Sequence, residues 1–142
     1  PQNYSRNCVV YTGTHDNETI GGWFNGLDKE TKAHVRNYVS DQEIANKWMY
    51  QKLIDLAMRC CADTCIIPVQ DWLGLDNSTR MNTPGTVDSN WSWRLTDGQL
   101  TEELCENVRN ISKRFGRANW DALKAVEKAT DEKCDNCQNK RK

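Results

Sequence analysis

The residues best suited to chemistry lie in one short polar segment near the start of the chain. Cys8–Thr12 is apolar and β-branched, and it leads directly into Gly13–Asn17, which contains the adjacent pair His15 and Asp16. A carboxylate in such a loop can stabilise a developing oxocarbenium ion, and an imidazole can donate a hydrogen bond to a sugar hydroxyl. The alternative is that the pair only caps a turn, and a His-Asp pair by itself does not decide between these roles.

Two apolar runs, each followed by polar residues, predict two parallel strands. The second run, Cys65–Val69, is continuously apolar and ends at Gln70 and Asp71, a pattern typical of a parallel strand buried on both faces. Parallel α/β proteins place their sites at the carboxyl ends of the strands. We therefore expect both polar segments to meet at one edge, with Gln70 and Asp71 in a supporting or structural role.

Helical patterns fill most of the remaining chain. Asp28 is predicted to cap a helix over residues 29–39, and a second helix is predicted over 41–62. The apolar stripe of the second helix, Trp48 included, is interpreted as core packing. A long polar loop spans residues 74–97, Thr101 is predicted to cap a helix ending near Phe115, and an amphipathic helix is predicted over 118–132.

The order of these elements corresponds to two consecutive β/α units. Two strands can neither close a barrel nor form a sheet that is covered on both faces. The pattern therefore predicts an α/β chain that is the C-terminal piece of a larger protein. Residues 1–116 are predicted to belong to its folded domain, and residues 117–142 to form a final helix and a charged tail.

Composition excludes several classes of function. The chain has 142 residues, 37% of them apolar and 27% charged, with a formal net charge of -1, which is ordinary for one small soluble domain. No basic cluster indicates nucleic acid, since the run Lys140–Lys142 is interpreted as a solvated tail. No apolar stretch approaches the ~18 residues of a membrane span. The sequence does not indicate an oligomeric state.

The cysteines predict free thiols. Their number is seven, an odd count without regular spacing, which argues against a secreted disulfide framework. Cys134 and Cys137 form a lone C-x-x-C pair in the polar tail, and a zinc site needs about four ligands. We therefore predict neither a metal nor a cofactor.

Three segments together resemble a known family. VVYTGTHDNET, IIPVQDWLGLDNSTRMNTPGT and NWSWR, in that order, are similar to the last third of the amylomaltases, the 4-α-glucanotransferases of glycoside hydrolase family 77. The resemblance covers about residues 4–115, and the tail beyond it has no counterpart. It implies a (β/α)8 TIM barrel, of which this chain would contribute strands 7 and 8 with the helices that follow them.

The resemblance also implies roles for individual residues. Asp16 corresponds to the carboxylate that stabilises the transition state, and His15 to the histidine that hydrogen-bonds the same sugar. Asn82, in the loop after the second strand, corresponds to an asparagine beside that subsite. Asn17, Pro84 and Gly85 complete the expected substrate-binding set.

The implied activity is transfer of α-1,4-glucan segments between maltooligosaccharides by a retaining double displacement. The nucleophile and the acid/base carboxylate of such enzymes have no match in this chain, so we expect it to be inactive alone. The alternatives are a parent enzyme that is mainly a hydrolase, and a non-catalytic glucan-binding or interaction module. The expected compartment is the cytoplasm, or a plastid in a plant or alga.

The aromatic residues near the site are predicted to be structural. Trp91 and Trp93 are interpreted as pinning the long loop, with Arg94 as a paired charge, although exposed indoles can also stack on sugars. Trp23 and Trp72 are interpreted as packing residues.

Overall fold

A computed structural model of the chain describes residues 3–126 and 128. It contains strands β1 (Val9–Tyr11) and β2 (Thr64–Ile66), and helices α1 (Ile20–Gly26), α2 (Lys29–Tyr38), α3 (Met49–Arg59), α4 (Val69–Trp72) and α5 (Glu102–Arg114). Short 3-10 turns lie at Asn46–Trp48 and Asn77–Thr79. Residues 120–126 are also helical. The rest of the helix predicted over 118–132 and the tail with Cys134, Cys137 and Lys140–Lys142 lie outside the described residues, apart from residue 128.

The two strands pair in parallel, as predicted. Val9 lies opposite Thr64, Val10 opposite Cys65 and Tyr11 opposite Ile66. Each strand is three residues long, and β2 ends early because Pro68 starts a helical turn that takes up residues assigned to the second strand. Gln70 and Asp71 therefore lie on α4 and do not close β2, which corrects the sequence prediction.

The expectation that the strands are buried on both faces is wrong for this chain. Val10 and Cys65 are partly buried, whereas Val9, Tyr11 and Ile66 are 47%, 48% and 44% exposed. Successive side chains of a strand point to opposite faces, so one face of the pair is covered and the other is open. Both faces of the strand pair carry apolar side chains, but the described residues of this chain pack against only one face.

The core lies between α1, α3 and α5. Ile20, Ile54, Met58 and Ile111 form its centre, with Leu53 and Trp72 among the partly buried residues packed against it. Phe24 and Met49 are fully buried beside it. Trp72 thus has the packing role that the sequence predicted.

The second predicted helix differs from the structure at its beginning. Residues 41–45 are not helical, and the Asp41 carboxylate caps a turn by accepting a hydrogen bond from the Ile44 N–H at 3.0 Å. Trp48 precedes α3 and is 45% exposed, so its assignment to the core is wrong. The interpretation fails there because Trp48 lies in a 3-10 turn and, five residues before Leu53, would be about 140° away from it around a helix even if α3 began earlier.

Helix α1 was not predicted, since Gly21 and Gly22 give its sequence a low helix propensity. A local cap and one tertiary contact compensate. The Thr19 hydroxyl accepts a hydrogen bond from the Gly22 N–H at 3.1 Å, and Asp71 accepts one from the Ile20 N–H at 2.9 Å. These bonds satisfy two of the N–H groups that are left free at the start of every helix.

Replacing Thr101 with alanine is expected to lower the free energy of unfolding by about 1 kcal/mol, because the Thr101 hydroxyl caps α5 by accepting from the Leu104 N–H at 3.1 Å. Serine at the same position retains the hydroxyl and is the matched control. Urea unfolding followed by circular dichroism measures both. Equal stability of the alanine and serine variants would contradict the capping role.

Among residues 3–126, no helix is long and apolar enough to cross a membrane.

Candidate active site

The segment after β1 forms a turn that presents His15 and Asp16 to solvent. The Asn17 side-chain oxygen accepts hydrogen bonds from the Thr14 N–H and the Thr14 hydroxyl, both at 2.8 Å, and the Asn17 N–H donates to the Thr14 carbonyl. The His15 and Asp16 side chains are 54% and 47% exposed, and His15 Nε2 lies 3.3 Å from Asp16 Oδ1. Asn17 thus closes the turn from which the two candidate catalytic groups project.

Asn82 from the loop after α4 holds this turn. Its side-chain amide donates to Asp16 Oδ1 at 2.6 Å, and its backbone N–H donates to the His15 carbonyl at 3.0 Å. The two polar segments therefore meet at one edge of the sheet, as the sequence predicted. Both contacts to the Asp16 carboxylate involve Oδ1, so Oδ2 has no partner within residues 3–126 and 128.

Arg80 is a site residue that the sequence analysis missed. Its guanidinium donates to the Asp16 carbonyl at 2.5 Å and to the Asn82 carbonyl at 2.9 Å, joining the two halves of the site. A positive charge two residues from a candidate binding asparagine was the available signal.

Trp91 also reaches the site. Its ring centroid lies 5.0 Å from that of His15, and its backbone N–H donates to the Met81 carbonyl at 2.6 Å. The Trp91 backbone has a positive φ of 61°. Because its side chain is 52% exposed, Trp91 contributes little burial to the loop, and its main contact is with the His15 ring. Arg94 does hold the loop, but by donating to the Trp91 and Trp93 carbonyls, both at 2.7 Å, and not as a paired charge.

Pro84 and Gly85 lie in an exposed turn next to the site. The Thr86 N–H donates to the Thr83 carbonyl at 3.2 Å across them, and Gly85 has a φ of 79°, as the third residue of a type II turn requires. They do not line the cleft of 510 Å³ that opens beside His15 and extends to Asp71 and Arg80. Trp23 is 39% exposed and lines a neighbouring cleft with Asp16, so it is only partly a packing residue.

Asp71 supports the site from within. Only 1% exposed, it accepts hydrogen bonds from the Thr12 hydroxyl at 2.5 Å and from the Ile20 N–H at 2.9 Å. Burial raises the pKa of its carboxyl above the ordinary 3.8, against the opposing effect of these two hydrogen bonds. Asp71 thereby ties the end of β1 to the start of α1, so its role is structural, and the turn with His15 and Asp16 lies between the two points that it holds.

The described part of the chain has no arrangement that would hold a metal. No group of three histidine, cysteine or acidic side chains lies together in residues 3–126 and 128. Cys8, Cys60, Cys61, Cys65 and Cys105 are free thiols.

A carboxylate and an imidazole at the end of one parallel strand, held by an amide from the loop after the next strand, form an exposed polar site on an α/β scaffold. Comparison with known proteins identifies the family. The family model described as 4-alpha-glucanotransferase, glycoside hydrolase family 77, matches residues 1–101, and the chain belongs to this family.

Individual relatives agree with the family match. The chain is 42% identical over 120 residues to the chloroplastic/amyloplastic 4-alpha-glucanotransferase of Solanum tuberosum, a match that covers 82% of this chain and 20% of the relative. It is 40% identical over 119 residues to the 4-alpha-glucanotransferase of Clostridium butyricum, covering 82% and 24%.

Among solved structures, the fold matches that of an amylomaltase from Streptococcus agalactiae in complex with acarbose. The TM-score is 0.78 at 36% identity, and the match covers 84% of this chain and 24% of the amylomaltase. The chain thus spans about a fifth to a quarter of the length of these relatives.

Proposed function

We propose that this chain supplies one corner of the active site of a 4-α-glucanotransferase, which transfers α-1,4-glucan segments between maltooligosaccharides. The observation that carries the proposal is the half-exposed Asp16 carboxylate, with Oδ1 held by Asn82 and Oδ2 without a partner among residues 3–126 and 128. β1 and β2 would be strands 7 and 8 of a (β/α)8 barrel, whose other strands would cover Val9, Tyr11 and Ile66. We expect the cytosol or a plastid as its compartment.

In the proposed reaction a nucleophilic carboxylate displaces the glucan leaving group, which is protonated by an acid, and forms a covalent glycosyl-enzyme. The 4-hydroxyl of an acceptor glucan then attacks the same anomeric carbon, gives its proton back to the deprotonated acid and releases the enzyme carboxylate. Both carboxyl groups of these steps would come from a segment outside the 142 residues. Asp16 would act through charge and hydrogen bonding, since the oxocarbenium-like transition state is positively charged.

The contacts of the site fit that role. Because Asn82 and His15 both approach Oδ1, the free Oδ2 is the atom available to a sugar hydroxyl. The Trp91 ring contacts the His15 ring and restrains its orientation. In that orientation the imidazole would donate a hydrogen bond to the same sugar. A donor amide already fixed on the carboxylate means that little rearrangement is needed when the substrate binds.

A hybrid enzyme tests the proposal. In it, this chain replaces the segment that it matches in the Streptococcus agalactiae amylomaltase, and the purified hybrid is incubated with maltotriose. Oligomers longer than maltotriose are expected, because disproportionation produces them and hydrolysis does not. A folded hybrid that produces only sugars shorter than maltotriose would indicate that the parent enzyme is mainly a hydrolase. A folded hybrid that binds maltooligosaccharides without converting them would indicate the glucan-binding module instead.

Replacing Asn82 with alanine in the hybrid is expected to lower kcat about 10- to 100-fold, because a hydrogen bond to a charged group contributes about 1.5–3 kcal/mol. The effect should appear in kcat more than in KM, since the bond orients the group that stabilises the transition state. Asn25→Ala, an exposed asparagine on α1, is the matched control. Similar kinetics for both variants would remove Asn82 from the site.

A further inference from the structure

A second cleft lies between the segment that begins α3 and the face of α5. Its volume is 590 Å³, and it shares no lining residue with the two clefts beside His15 and Asp16. The proposed transfer reaction does not use it.

One wall of this cleft is aromatic. Trp48 and Tyr50 line it together, with ring centroids 6.4 Å apart and tilted by 38°. Trp72 contributes from α4, where it also packs against the core. The Lys47 ammonium lies 5.1 Å from the centroid of the Trp48 ring, and the indole is still 45% exposed. A large aromatic side chain that is exposed and does not pack in the core offers apolar surface to a ligand.

The opposite wall is polar. Glu103, Glu106, Asn107 and Asn110 line it from α5. Their spacing of three, four and seven residues places them on one face of the helix. Within residues 3–126 and 128, the side chains of Glu106, Asn107 and Asn110 make no hydrogen bond. The face of α5 over the cleft thus presents free amide and carboxylate groups.

We propose that this cleft is a second binding site for an α-glucan chain, separate from the catalytic corner. The choice of ligand class rests on the proposed function. Indole and phenol rings match the apolar faces of pyranose rings, and amides and carboxylates match sugar hydroxyls. Two carboxylates on the polar wall disfavour an anionic ligand, and the proposed function selects a neutral polyhydroxylated chain over a cationic ligand.

A second site would act on long substrates. A glucan chain held at the cleft reaches the catalytic corner intramolecularly, which raises its effective concentration there. A short oligosaccharide cannot occupy both places and gains nothing. The cleft is therefore expected to affect KM for polymeric glucan without affecting turnover of maltotriose.

The test compares Trp48→Ala with Trp120→Ala, an indole of similar exposure that does not line the cleft. In the hybrid enzyme, Trp48→Ala is expected to raise KM for long-chain amylose about tenfold or more and to leave kcat/KM for maltotriose within about twofold. Trp120→Ala should change neither. Equal effects of Trp48→Ala on both substrates, or no effect on either, would overturn the second site.

Two further measurements keep the test decisive. If circular dichroism shows that Trp48→Ala disturbs the fold, Asn107→Ala on the exposed polar wall is measured by the same KM comparison, with the same expected result. If the unsubstituted hybrid transfers no glucan, the proposed function fails and the second site is tested by itself. Retardation of this full chain in a gel containing glycogen, lost in Trp48→Ala, supports the site, and absence of retardation overturns it.

Discussion

Replacing Asp16 with asparagine in the hybrid enzyme is expected to lower kcat for maltotriose by about 1,000-fold or more, on the order of 4 kcal/mol of transition-state stabilisation. The substitution keeps the shape of the side chain and an oxygen that can accept from the Asn82 amide, so the turn should persist. It removes the negative charge that faces the developing oxocarbenium ion. The loss should therefore fall on the chemical step, with KM for maltotriose changed much less.

The matched control is Asp97→Asn, an exposed carboxylate in the loop before α5. It changes the net charge by the same amount at a distance from the turn, and kcat is expected to stay within about twofold. Thermal unfolding of both variants checks that the fold is intact. A kcat for Asp16→Asn within about tenfold of the unsubstituted hybrid would remove Asp16 from the catalytic set.

Replacing Asp71 with leucine is expected to lower the free energy of unfolding by about 2–4 kcal/mol. Leucine leaves the buried Ile20 N–H and the Thr12 hydroxyl without their acceptor, and each unsatisfied donor costs about 1–3 kcal/mol. Asparagine can accept from the Ile20 N–H and donate to the Thr12 oxygen. Asp71→Asn is therefore the matched control, with an expected change of about 1 kcal/mol or less. Equal urea midpoints for the two variants would contradict this account.

The same pair of proteins gives a dependence on pH. Because burial raises the pKa of Asp71 in the folded protein, the folded state keeps a proton over a range in which the unfolded chain has released it. The contribution of Asp71 to stability is thus greatest below its ordinary pKa of 3.8 and falls as the pH rises through the folded value. Asp71→Asn lacks this dependence. Its stability relative to the unsubstituted protein should therefore increase with pH across that window, and a constant difference would contradict the raised pKa.

Several elements were predictable because local chemistry decides them. Asp28 caps α2 and Thr101 caps α5 through bonds to N–H groups three residues away, which a short stretch of sequence encodes. The parallel pairing of β1 and β2 also agreed, since two apolar runs separated by helices leave few other arrangements. The family resemblance, and not this local logic, placed Asn82 beside Asp16, and the two side chains are in contact.

The errors occur where a distant residue decides the local structure. Helix α1 forms despite Gly21 and Gly22, because Asp71, about fifty residues away, accepts from its first turn. Arg80 and Trp91 join the site through contacts with a turn more than sixty residues earlier. No local pattern contains those pairings.

The sequence by itself determined the family, the two β/α units and the polar turn with His15 and Asp16, because each depends on residue type and short-range spacing. The tertiary structure decided which oxygen of Asp16 is held, that Asp71 links β1 to α1, and that an aromatic and a polar wall face each other across a second cleft. These features depend on distances between segments far apart in the chain, and such distances are set only when the helices pack on the sheet.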